Sequence, residues 1–189
     1  MKHIHTNAVK KCLGNDAKKI VLLILLVVVA YFVNTHIMRL AIVGGESMYP
    51  TFMDKDILLI NQVNYHPSRG DVVLIDISKK PIGGEYIVKR IIAVEGDIVT
   101  VNYEDNSVFI NGIKQSELYL NLEQSDPMIA LDETSNITYK VPPGTIFVMG
   151  DNRNHSIDSR YEVLGMVSKT DIVGRVCGSF SPSILKHVK

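Results

Sequence analysis

Two regimes of hydrophobic patterning divide the chain. Residues 20–33 form a run of fourteen without a charge or a helix breaker. As a helix this run spans about 21 Å, less than the roughly 30 Å hydrocarbon layer of a bilayer. Continuing through Asn34, Thr35 and His36 to Met38 brings it to about 28 Å, with the polar residues at the far interface. Arg39 then ends it. Taken alone, the stretch also fits a buried core helix or the h-region of a secretory signal. A cleavable signal needs small residues in an A-x-A-like pattern after the run, and residues 35–39 have none. The pattern therefore predicts an uncleaved helical anchor over residues 20–38.

After Arg39 the period changes. Short apolar runs rich in β-branched residues recur between turn residues, at 56–60, 71–75, 86–88, 91–94 and 98–101. They are too short for helices and predict strands. Residues 107–110 lead into Asn111-Gly112, a strong hairpin signal, and residues 146–149 and 172–176 extend the series. Residues 121–136, with Asp126-Pro127 and scattered acids, read as a surface loop. No helical period follows the anchor. The fold class is mainly β: one N-terminal transmembrane helix followed by a β-rich domain over residues 40–189.

The net charge is zero, but its distribution is not even. Residues 1–19 carry five lysines against Asp16 alone, a net +4, whereas residues 40–189 are net −5. Lysines just before the apolar run place residues 1–19 in the cytoplasm and the main domain outside. The acidic domain makes a nucleic-acid partner a poor fit. Cys12 and Cys177 would lie on opposite sides of the bilayer and cannot pair within one chain, and no Cys cluster has metal-site spacing.

Four stretches depart from ordinary strand or turn. Gly44-Gly45-Glu46-Ser47-Met48-Tyr49-Pro50-Thr51 follows the anchor closely. It reads either as a Gly-rich link with a solvated hydroxyl or as a nucleophile turn, and it is not the Gly-x-Ser-x-Gly elbow. Lys89 and Arg90 sit in the middle of the apolar stretch 86–94. Alternation sends them to opposite faces, so one of them points at the buried side. An edge strand using charge against aggregation is the competing explanation. A buried lysine is desolvated, and lowering it from about 10.4 to roughly 7–8 takes about 4 kcal/mol. Such a lysine serves as a general base. Residues 150–160 pack two Asp, two Arg, two Asn, two Ser and His155 into eleven positions. They form either a hydrophilic loop with Asx turns or a rigid scaffold in which Asp151 and Arg153, and Asp158 and Arg160, pair at i, i+2. Finally, Arg69-Gly70-Asp71 opens a strand and reads as a turn rather than an adhesion tripeptide.

Gly45-Glu46-Ser47-Met48-Tyr49-Pro50-Thr51, Arg69-Gly70-Asp71-Val72-Val73, Val88-Lys89-Arg90-Ile91-Ile92-Ala93 and Gly150-Asp151-Asn152-Arg153, with Ser156, Asp158, Ser159 and Arg160, resemble the ordered signature blocks of type I signal peptidases. The small size and single anchor resemble the Gram-positive members. The resemblance implies a mainly β, membrane-bound serine endopeptidase that removes signal peptides from exported preproteins. It implies neither metal nor cofactor. Its partners would be secretory preproteins and the lipid bilayer, and its place the cell membrane, single-pass, with the catalytic domain extracellular. Ser47 resembles the nucleophile, Lys89 the general base and Ser156 the hydroxyl that orients the lysine. Asp158 and Arg160 resemble the supporting ion pair, with Asp151 and Arg153 structural. Met48 and Val88 correspond to apolar positions near the substrate's small side chains.

Gly45 is a departure from that pattern. Several members carry there a serine that offers a second oxyanion donor, so Gly45→Ser is expected to hold or raise kcat. Rival readings fit less well. A Ser47-His155-Asp158 triad leaves the lysine unexplained, and a self-cleaving repressor of the LexA type would carry a DNA-binding domain in place of the span. A tethered binding module or an inactive relative would most simply lack Ser47 or Lys89.

Overall fold

A computed structural model of the chain describes residues 2–120, 128–129 and 136–182, with side chains from Asp16 onward except Asn34. The chain forms two compact units, Met1–Arg39 and Leu40–Lys189. The first is the helix α1, Lys2–His36, of 35 residues. Every side chain of residues 20–33 is solvent-exposed. The run is apolar on all sides, which leaves it no polar face to turn toward water. Among the described residues no helix is long and apolar enough to cross a membrane. The expected continuation to Met38 is corrected: the helix stops at His36, and a strand starts at Met38. The Thr35 hydroxyl bonds back to the Tyr31 carbonyl at 2.9 Å in that last turn.

The second unit is built from strands: β1 (Met38–Ile42, beginning at the boundary), β2 (Ile57–Asn61), β3 (Val72–Asp76), β4 (Tyr86–Val94), β5 (Ile98–Asn102), β6 (Ser107–Ile110), β7 (Ile113–Lys114), β8 (Asn136–Lys140), β9 (Thr145–Met149), β10 (Val167–Ser168) and β11 (Ile172–Phe180). The larger sheet has the order β1-β2-β11-β3-β4-β9-β10, and the smaller β7-β6-β5-β8. The predicted runs at 86–88 and 91–94 are one nine-residue strand, with the two cations in its centre. The Asn111-Gly112 turn closes the β6–β7 hairpin with both residues at positive φ, 52° and 80°. Most of the expected surface loop at 121–136 lies outside the described residues. Within it, Met128 is buried in the core and Asn136 already starts β8.

Three apolar clusters explain where the site sits. Ile92 and Ala93 of β4 and Phe147 and Met149 of β9 pack against the small sheet, through Val99, Val101 and Val108. Ile91, Ile146 and Val148 from the same two strands pack with Val73, Ile75 and Leu164. Strands β4 and β9 are therefore covered on both faces. A third cluster joins Met48 and Phe52 to Leu58, Ile60, Val72 and Leu74, which ties the Ser47 turn down onto β2 and β3. Gly174 of β11 lies where β2 passes closest: a Cβ there would come within 2.9 Å of the Asn61 carbonyl carbon and Ile60 Cγ2. Backbone cannot yield as a flexible side chain can. Gly174→Ala is expected to cost about 1–3 kcal/mol of stability, read by urea unfolding, through overpacking between β11 and β2. An unchanged midpoint would mean the two strands separate freely there.

Candidate active site

The site forms where the turn before β2, the middle of β4 and the loop after β9 meet. Lys89 and Arg90 are both buried, at 3% and 9% exposure, where alternation had predicted one. The reason is the cover on both faces of β4. Arg90 is fully paired there. Its guanidinium grips the Asp151 carboxylate at 2.8 and 2.6 Å, donates to the Gly70 carbonyl at 2.9 Å and lies 3.9 Å over the Tyr119 ring. Among the described residues Lys89 has no such partner. Its Nζ is hydrogen-bonded to Ser47 Oγ at 2.6 Å, a neutral hydroxyl. Desolvation by burial is the largest influence on its amine and lowers the pKa from 10.5 to about 8. The Asp158 and Asp151 charges oppose that fall, and Arg160 adds to it.

The loop after β9 is held by its own side chains. Asp158 and Arg160 are 0% and 4% exposed, and the guanidinium spans the carboxylate with bonds of 2.8 and 2.9 Å. Asp158 also accepts the Gly150 N–H at 3.0 Å, and Arg160 donates to the Arg153 carbonyl at 2.6 Å. Asp151 and Arg153 do not pair with each other, a correction to the i, i+2 expectation. Each finds its partner on another segment of the chain. Asp151 turns to Arg90, and Arg153 turns to Glu117, at 3.0 and 2.5 Å, with both side chains 8% exposed. The loop is joined to the Ser47 turn twice, by Asn152 N–H to the Ser47 carbonyl at 3.0 Å and by the Thr51 hydroxyl to Asp151 at 2.5 Å. Glu117 and Tyr119 were not legible as site residues. They lie in a polar stretch without pattern, 36 and 34 positions before Arg153.

Other predicted residues fall as follows. Ser156 is buried with its side chain over Gly150, but its Oγ has no hydrogen-bond partner among the described residues, Lys89 included. Met48 is 1% exposed and belongs to the core cluster beneath the turn, and Val88 is half-buried against the same cluster. His155 is exposed on the loop, and no hydrogen bond joins it to Ser47 or Asp158 among the described residues. Gly45 has φ +89° and donates its N–H to Asp54 Oδ1 at 3.0 Å. Any L side chain is strained at that φ, so the expected gain from Gly45→Ser does not follow: serine and alanine are both unfavourable. Among the described residues no group of three His, Cys, Asp or Glu is placed to hold a metal ion.

A buried lysine amine against a partly exposed serine hydroxyl is an arrangement for nucleophilic catalysis. The model of the family described as signal peptidase, peptidase S26, matches residues 17–180. The chain belongs to this family. It is 36% identical to signal peptidase I P of Bacillus subtilis subsp. natto over 160 residues, 80% of this chain and 82% of that protein. It is 33% identical to signal peptidase IB of Staphylococcus aureus (strain COL) over 174 residues, 85% of this chain and 87% of that one. A crystal structure of a signal peptidase I from Enterococcus faecalis V583 aligns with 59% of this chain and 97% of its own, at 32% identity and a TM-score of 0.47. The expected family is thereby established, and it is of the Gram-positive type. The chain is a serine peptidase, a hydrolase of the class that removes signal peptides.

Removing one partner of the Asp158–Arg160 pair leaves the other charge buried and alone. Asp158→Ala is expected to lose about 3–5 kcal/mol of stability, with protease sensitivity and lost activity together. A variant with normal melting and no cleavage would instead give Asp158 a direct chemical part.

Proposed function

We propose that this chain is a membrane-tethered signal peptidase I in which Ser47 is the nucleophile and Lys89 the general base. The observation that carries the reading is the 2.6 Å contact between Ser47 Oγ and a lysine amine that is buried without a carboxylate in contact. Neutral Lys89 takes the proton as Ser47 Oγ attacks the carbonyl carbon at the end of the signal peptide. The tetrahedral intermediate places its negative charge on the carbonyl oxygen. The Ser47 N–H has no other acceptor among the described residues and is the first donor for that oxyanion. As the C–N bond breaks, the Lys89 ammonium returns its proton to the departing nitrogen. The amine leaves with the mature protein. Lys89, neutral again, activates a water that cleaves the Ser47 ester and frees the signal peptide.

The other parts of the site serve that pair. Asp158–Arg160 and Arg90–Asp151 fix the loop and strand on either side of Lys89, and Ser156 packs a buried hydroxyl over Gly150 of the same loop. Met48 holds the nucleophile turn from below, and Val88 lies beside the lysine where the small side chains of the signal peptide would pass. The fourteen exposed apolar residues of α1 support a membrane anchor, since water is a costly environment for a helix apolar on all sides. With the lysines of residues 1–19 on the cytoplasmic side, the catalytic unit faces outward. Enzyme and preprotein then share one membrane plane, which raises their effective concentration.

The test is cleavage of a preprotein by the detergent-solubilised full chain, with the cut located by mass spectrometry. Ser47→Ala and Lys89→Ala are expected to abolish cleavage and leave the fold intact. Lys89→Arg is expected to fail equally, because guanidinium stays protonated. Because the base must be neutral, kcat/KM should rise with pH, tenfold per unit below about 8, and level off above it. Substantial activity in the arginine variant, or a limb near the ordinary lysine value, would refute the dyad.

A further inference from the structure

A cleft of about 450 Å³ opens beside the nucleophile, lined by Glu46, Tyr49, Met53, Asp54, Asn152 and His155. Two of its walls are fixed to Ser47 itself. Glu46 is the preceding residue in the turn, and Asn152 donates its N–H to the Ser47 carbonyl. The cleft contains two carboxylates and neither lysine nor arginine. The Glu46 carboxylate is exposed and makes no hydrogen bond or ion pair among the described residues. Asp54 accepts the Gly45 N–H and faces only the exposed Lys55 amine at 3.7 Å. The cleft therefore carries the Glu46 charge without a counter-charge among the described residues, and the Asp54 charge only partly offset by Lys55.

The reaction proposed above divides its substrate into two chemically different halves. The half that stays on Ser47 as an ester ends in small, uncharged side chains. The half that leaves gains a new α-amine, and with a pKa of about 7.7–8 it is largely cationic near neutral pH. A polar cleft with one unpaired carboxylate, Glu46, and a second only partly offset, Asp54, is unsuited to the first half and suited to the second. Resting on that reading, we infer that this cleft receives the first residues of the departing mature chain, and that Glu46 and Asp54 select against acidic side chains there. Tyr49 and Met53 give it apolar surface for the chain's backbone and stems, and the carboxylates face the charge. Each exposed contact is worth a modest amount, so the preference is a matter of several-fold rate rather than of acceptance or refusal.

Three synthetic substrates test this, with one shared signal segment and with Ala-Ala, Lys-Lys or Asp-Asp immediately after the cut. The full chain in neutral detergent is expected to cut the lysine peptide about fivefold or more faster than the aspartate peptide, in kcat/KM. The ratio should shrink toward unity in about 0.5 M salt, as a screened surface interaction does. Glu46→Lys should invert the order, and Glu46→Gln should flatten it. A pocket that acts by shape alone would show neither the inversion nor the salt dependence. Equal rates for the three peptides at low salt would overturn the inference. Failure to cut even the alanine peptide would overturn the peptidase reading, and this inference with it.

Discussion

The structure depends on one burial: a lysine amine enclosed on both sides of a central strand, with a serine hydroxyl as its hydrogen-bond partner. Water would hold that amine protonated at neutral pH, and a carboxylate in contact would do so more firmly. Here the two nearest acids are already engaged, Asp158 by Arg160 and Asp151 by Arg90. Their charges still reach Lys89 and raise its pKa, but desolvation outweighs them. Were either arginine absent, a freed carboxylate would favour the ammonium form and remove the proposed base.

That arrangement sets requirements on the rest of the domain. Strand β4 has to be interior, with β3 and β9 as neighbours and clusters on both faces, because an edge strand would let water reach the amine. In the proposed mechanism the Ser47 turn has to be held in place against the lysine. Met48 and Phe52 supply apolar purchase from below, and Asn152 and Asp151 supply polar contacts from the side. The buried pairs Arg90–Asp151, Arg153–Glu117 and Arg160–Asp158 contribute little net stability compared with apolar residues of equal volume. Their contribution is geometric: each fixes a planar guanidinium against a carboxylate, and together they leave the loop one conformation.

Much of this was legible from residues alone where the pattern is local. Short apolar runs rich in β-branched residues located β2, β3, β5, β6 and β9, and the Asn-Gly pair located its hairpin. Short or weakly patterned strands escaped: β1 follows the helix without a turn signal, β8 reads Asn-Ile-Thr-Tyr-Lys, and β10 has two residues. Ser47 and Lys89 were found by resemblance, and their mutual contact is a tertiary fact. Ion-pair partners were misassigned where sequence neighbours were assumed to pair, because Asp151 and Arg153 find partners 61 and 36 positions away. The sign of φ at Gly45 is likewise invisible in a sequence, and it changes the role of that residue from a missing donor to a turn.

The central claim is that burial leaves the Lys89 amine neutral near physiological pH and thereby able to act as a base. Its most direct test is an NMR titration of the Lys89 ε-amine in the full chain, with Lys89→Met to assign the resonance. The account predicts a midpoint near 8. A midpoint at about 10.4, with the other lysines, would contradict it.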